Sequence, residues 1–228
     1  MRVEVLPASS WAEAVTAELI DRLEPAGLRL CLATGATPLP VYARLPGDAL
    51  ATSTVFLLDE FGGLPAGHRG RCEMMLRNAL LDRVAAGEFH FPDVDAPDLD
   101  VECRRYRDLI NEGGLDLAVL GLGMNGHLGL NEPGSTADQP TRVVELTAAT
   151  REGARNYGAD PPPTWGLAVG LMEILAAREV WLLVTGSSKA DVLARVVNDE
   201  VTDRVPATLL RTHPNSIIWA DEAAAARL

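Results

Sequence analysis

Three short segments hold residues whose types and spacing could do chemistry. In the first, Asp59 and Glu60 follow the apolar run Val55-Phe56-Leu57-Leu58 directly. Carboxylates at the carboxyl end of a strand point into a crevice, where neighbouring groups can tune one of them as a proton-transfer base. The second is Gly121-Leu122-Gly123-Met124-Asn125-Gly126-His127-Leu128-Gly129-Leu130-Asn131-Glu132-Pro133. Its histidine can move protons near neutral pH, and Glu132 lies close enough in a folded loop to orient or polarise the ring. The third, Ala33-Thr34-Gly35-Ala36-Thr37-Pro38, is built of small residues that let backbone N–H groups turn toward an anion. It lacks the Gly-Lys-Ser/Thr ending of a P-loop and the Gly-x-Gly-x-x-Gly dinucleotide fingerprint. Taken singly, these segments also fit a capped turn, a solvated acidic turn and a satisfied histidine. Glycine density beside His, Asn and Glu is hard to explain by packing, and that combination favours a site.

Positioning such loops requires a rigid frame, and the chain supplies one. Short Val/Leu/Ile runs alternate with amphipathic stretches, which predicts an α/β fold: a single domain, 1–228, with a doubly wound, mostly parallel, Rossmann-like sheet and helices on both faces. Strands are expected at Arg2 to Leu6, Leu28 to Ala33, Thr54 to Leu58, Asp116 to Leu120, Arg142 to Leu146, Glu179 to Val184 and Ser216 to Trp219. Helices are expected at Ser9 to Leu23, Pro38 to Leu45, Arg71 to Val84, Asp98 to Asn111, Trp165 to Ala176, Lys189 to Asn198 and Asp221 to Leu228. The three chemical segments then follow strands, where ligands of open parallel sheets bind.

Composition narrows the partners. With 32 acidic against 20 basic residues the net charge is −12, and no run of Lys and Arg offers a patch for nucleic acid or anionic membranes. The apolar runs are too short to cross a bilayer, and the first residues lack a signal-peptide pattern, so a cytoplasmic location is expected. Cys31, Cys72 and Cys103 are widely spaced and read as reduced, mostly buried thiols, with neither a disulfide framework nor a zinc site.

The ordered set Thr34-Gly35-Ala36-Thr37-Pro38, Asp59-Glu60, Gly126-His127 and Leu183-Val184-Thr185-Gly186-Ser187-Ser188-Lys189 resembles one family across nearly the whole chain. That family comprises glucosamine-6-phosphate deaminases/isomerases, galactosamine-6-phosphate isomerases and 6-phosphogluconolactonases. Lactonases of the family typically carry an arginine after Asp-Glu and Thr-Ala-Ser-Leu-Phe-Pro after Gly-His. Here Phe61-Gly62-Gly63-Leu64-Pro65 and Leu128-Gly129-Leu130-Asn131-Glu132-Pro133 look like the amino-sugar branch.

The resemblance implies an aldose-ketose isomerase with deamination, acting on a small sugar phosphate and needing no metal or redox cofactor. Asp59 would move a proton between C2 and C1, and His127 would assist ring opening with Glu132 positioning it. Thr34, Gly35, Ala36, Thr37, Glu60, Gly126, Lys189 and Arg155 would bind substrate, with Arg155 replacing an arginine the family often has near Asn156. Asn125 stands where deaminases usually have Asp and is expected to bond the imidazole without a full charge. The wording around His127 is similar to galactosamine-6-phosphate isomerases, so the resemblance points toward galactosamine 6-phosphate, the C4 epimer, with glucosamine 6-phosphate still open, as is assembly into a homo-oligomer. The alternatives are a 6-phosphogluconolactonase and a non-catalytic sugar-phosphate sensor.

Overall fold

The computed structural model describes residues 1–228. The chain runs β1 (Arg2–Leu6), α1 (Trp11–Leu23), β2 (Arg29–Leu32), α2 (Leu39–Tyr42), β3 (Leu50–Leu57), β4 (Asp59–Phe61) and α3 (Cys72–Leu76). It continues through β5 (Ala86–His90), α4 (Leu99–Asn111), β6 (Leu117–Gly121), β7 (Arg142–Glu145), α5 (Ala148–Arg155) and β8 (Trp165–Ala168). The last elements are α6 (Leu171–Leu175), β9 (Glu179–Val184), α7 (Ala190–Asn198) and β10 (Ser216–Asp221). Seven strands form one sheet in the order β1-β10-β9-β6-β2-β3-β5, every pair parallel.

Apolar runs suit these strands because both faces of the sheet are covered. Side chains alternate across a strand, so Leu30, Leu32, Val55, Leu57, Leu117, Val119, Trp181 and Leu183 enter one core with Trp11, Val15 and Leu19 of α1 and Leu76 of α3. Their neighbours Cys31, Phe56, Ala118, Leu120, Leu182 and Val184 enter a second core with Tyr106 of α4, Ile174 of α6 and Leu193 of α7. This is the doubly wound α/β architecture the sequence pattern predicts. From β2 the chain goes to β3 and β5 on one side, while β6 leads to β9 and β10 on the other. A crevice therefore opens between β2 and β6, at the carboxyl ends, where the order reverses.

Several expected elements fold differently. Asp59 and Glu60 do not lie in a loop: they belong to β4, which pairs antiparallel with β8, as β8 does with β7, in a separate three-stranded sheet. The expected Arg142 to Leu146 strand therefore lies outside the parallel sheet. The expected helix Trp165 to Ala176 splits into β8 and α6, because the first residues are claimed by two strand partners and Gly170 stays extended at ψ 161°. Arg71 to Val84 is helical only to Leu76 before a wider π turn over Arg77–Leu81. In the expected helix Asp221 to Leu228, Asp221 instead ends β10, and the residues after it make turns. Strand β5 and helix α5 were not expected at all. All three cysteines are buried and free.

The β8–α6 corner yields a stability prediction. A Cβ at Gly170 would collide with the backbone of Gln139 and Pro140, whereas one at Gly153, within α5, meets nothing within 4 Å. Gly170→Ala should cost about 2 kcal/mol or more through overpacking. Gly153→Ala should stabilise by about 0.5 kcal/mol or more by restricting the unfolded chain. Urea denaturation midpoints at constant m-value check both.

Candidate active site

A cavity of about 330 Å³ occupies that crevice, a size usual for small-molecule sites. The loop after β2 (33–38), Asp59, the loop after β6 (121–130), the inner face of α5 and Lys189 all line it. Four neighbouring strands, β9, β6, β2 and β3, thus deliver their following residues to one place.

Asp59 is 6% exposed. Burial pushes its carboxyl up to about 6, against the opposing pull of the Cys72 side chain, the His127 ring and the Leu130 N–H. The Gly-rich loop closes directly over it. A Cβ at Gly129, whose φ is +58°, would stand 2.7 Å from Asp59 Oδ2, so this approach requires glycine. A Cβ at Gly123 would likewise run into the His127 ring.

Behind His127 stands Glu132, buried and outside the cavity lining. Its Oε1 accepts from the Thr147 N–H (3.3 Å) and hydroxyl (3.2 Å), and its Oε2 accepts from Asn125 Nδ2 at 2.9 Å. His127 Nδ1 lies 3.5 Å from Oε2 and 3.4 Å from the Thr150 hydroxyl. Burial opposes charge on Glu132, but the His127, Thr150 and Asn125 side chains outweigh it and hold the carboxyl down at about 2. An ionised Glu132 therefore backs one ring nitrogen and leaves the other to the cavity. Asn125 does not bond the imidazole as expected: its Oδ1 accepts from the His127 backbone N–H at 3.1 Å while its amide serves Glu132.

Thr34, Gly35, Ala36 and Thr37 line the same cavity, as does Lys189. Burial lowers the proton affinity of Lys189, whose Nζ donates to the Leu122 carbonyl at 2.7 Å and keeps its other donors available. The Thr37 and Thr185 hydroxyls are 3.2 Å apart.

Three residues expected to bind substrate lie elsewhere. Glu60 is 1% exposed and points away from the cavity; it accepts from the N–H groups of Phe61 (2.7 Å), Cys72 (2.8 Å) and Glu73 (2.9 Å), tying β4 to the start of α3. Burial raises its carboxyl to about 7 against the pull of those donors. Arg155 pairs with Glu152 and Asp160 on the surface. Gly126 turns with its carbonyl to the Ala207 N–H and packs against Val205. Sequence reading missed Thr150 and Tyr157, which line the cavity because the unforeseen α5 brings them there.

The model for the family described as glucosamine-6-phosphate isomerases/6-phosphogluconolactonase matches residues 6–219. The chain belongs to this family. It is 40% identical over 202 residues to a glucosamine-6-phosphate deaminase of Exiguobacterium sp., covering 87% of this chain and 80% of the relative. It is 38% identical to one of Beutenbergia cavernae, covering 100% and 93%. Among solved structures, a monomeric glucosamine-6-phosphate deaminase superposes with a TM-score of 0.93 at 28% identity over 100% of both chains. The 6-phosphogluconolactonase of Trypanosoma cruzi superposes at 0.80 with 21% identity, covering 100% and 96%, which is a likeness of fold.

Within this family member, Glu60 behaves as a structural anchor, and its replacement should show it. Glu60→Ala leaves three N–H groups without acceptors and should cost about 3 kcal/mol or more, read as a lowered urea midpoint. Glu60→Gln, which keeps an acceptor, should lose less.

Proposed function

We propose that this chain is an amino-sugar 6-phosphate deaminase/isomerase, converting a hexosamine 6-phosphate and water to a ketohexose 6-phosphate and ammonia. The observation that carries this reading is Asp59, a buried carboxylate raised to about 6 that opens onto the same cavity as a His127–Glu132 pair. Isomerisation next to a carbonyl needs one positioned base, and ring opening needs a separate proton shuttle. In the proposed sequence His127, backed by Glu132, passes the C1 hydroxyl proton to the ring oxygen as the hemiacetal opens to the C1 aldehyde. Asp59 then takes the C2 proton and returns it to C1 while one proton of the C2 ammonium passes to O1, and water hydrolyses the resulting C2 iminium to the ketone and ammonia. Lys189 and the backbone of the Thr34–Thr37 loop hold the 6-phosphate, the lysine as a point charge.

The names of the relatives favour glucosamine 6-phosphate over its C4 epimer. The monomeric structural neighbour favours a site complete within one chain. Incubation with both hexosamine 6-phosphates and with 6-phosphogluconolactone tests the reading. Ammonia and ketose phosphate are expected; acid release from the lactone alone would replace it with lactone hydrolysis, in which His127 activates water.

Asp59→Asn should abolish turnover while sugar-phosphate binding stays within roughly tenfold, because the shape is kept and the base is lost. The base must be ionised to act. With the carboxyl at about 6, wild-type kcat/KM should fall about tenfold per unit below that pH. Lys189→Ala removes a contact made in both ground and transition states, so KM should rise about tenfold or more with a smaller change in kcat.

A further inference from the structure

The anion loop already has a side-chain partner. The Ala36 N–H, one of the donors assigned above to the phosphate, donates to the Tyr157 hydroxyl at 3.3 Å. Gly35 makes room for this contact: its φ is +105°, and a Cβ there would stand 3.3 Å from the same hydroxyl oxygen. Tyr157 lines the cavity with Lys189, just past the end of α5.

A phenol has one O–H donor besides its acceptor lone pairs. Ala36 occupies a lone pair, and no acceptor in the protein takes the Tyr157 proton. Lys189 is the only lysine or arginine on the cavity wall, and one of its donors is committed to Leu122. Arg155, two residues before Tyr157, is turned outward to Asp160. A phosphate monoester needs several donors around its oxygens, so a single lysine leaves that requirement for neutral groups to complete.

We propose that Tyr157 is a phosphate-binding residue: the Ala36 N–H holds its oxygen in place, and its free proton is donated to a phosphate oxygen of the bound sugar phosphate. This deepens the sugar-phosphate reading above and rests on it. The contact lies at the phosphate, away from C1 and C2, so it acts equally on ground and transition states and shows in KM. A merely structural tyrosine would not distinguish phosphorylated from unphosphorylated ligands.

Tyr157→Phe keeps the ring and removes only the hydroxyl. Calorimetric titration with inorganic phosphate, together with kinetics on glucosamine 6-phosphate, tests the assignment in the full chain. The expected result is a rise of about tenfold in both phosphate Kd and KM, with kcat within twofold and the weak affinity for unphosphorylated glucosamine unchanged. Unchanged constants in an active wild type would overturn the role of Tyr157 alone. Tighter phosphate binding by the Phe variant would also overturn it, marking the phenol as a competitor for the Ala36 N–H. A wild type that binds phosphate through Tyr157 yet turns over no hexosamine phosphate would sink the deaminase reading and keep the assignment. A wild type that does neither would sink both.

Discussion

The carboxylate of Glu132 fastens the reactive end of the site together. It is shared by an amide from the Gly-rich loop, a hydroxyl and an N–H at the start of α5, and the ring of His127. A buried carboxylate is stable as an anion only when such donors surround it, and each donor is held in place by the charge it serves. The loop after β6 and the helix α5 are therefore set relative to each other by one group. The His127 ring follows, since its backbone and its Nδ1 are both tied to this network.

Asp59 is arranged in the opposite way. Burial with fewer donors leaves its carboxyl raised, while Glu132, richer in donors, is held low. Two carboxyls, one on the cavity wall and one behind His127, thus acquire different proton affinities from their surroundings alone. The acidic surface gives no long-range attraction to an anionic ligand. Affinity must come from local donors in the cavity, where low dielectric strengthens them.

How much of this was legible in the sequence depended on burial. Strands β2, β3, β6 and β9 are covered on both faces and stand out as apolar runs, so the loops after them, and with them Asp59, His127 and Lys189, could be located. Strand β4 is three residues long and two of them are acidic, so nothing in Asp59-Glu60-Phe61 announces pairing with a segment a hundred residues away. Helix α5, Ala-Ala-Thr-Arg-Glu-Gly-Ala-Arg, has few apolar residues and an internal glycine, which hid both the helix and the cavity wall it makes. Glu60 and Arg155 are expected at the site from the family resemblance alone, and a matched position does not say which way a side chain points. The backbone N–H groups of α3 claim one and surface carboxylates claim the other.

The order of strands has a consequence for how the molecule is made. β1 pairs with nothing but β10, Arg2 lying opposite Ile217. As the chain leaves the ribosome, its first strand must wait for one of its last segments before any backbone partner exists. Until then the exposed edge of β9 and the unpaired β1 are both available to other chains, and closure across so long a loop is intrinsically slow. The assembly of Asp59 with β8 comes earlier, once residues near 168 have emerged. A nascent chain that extends past Lys189 can thus hold the lined cleft while its sheet is still open at one side, and that open side is where aggregation during synthesis would begin.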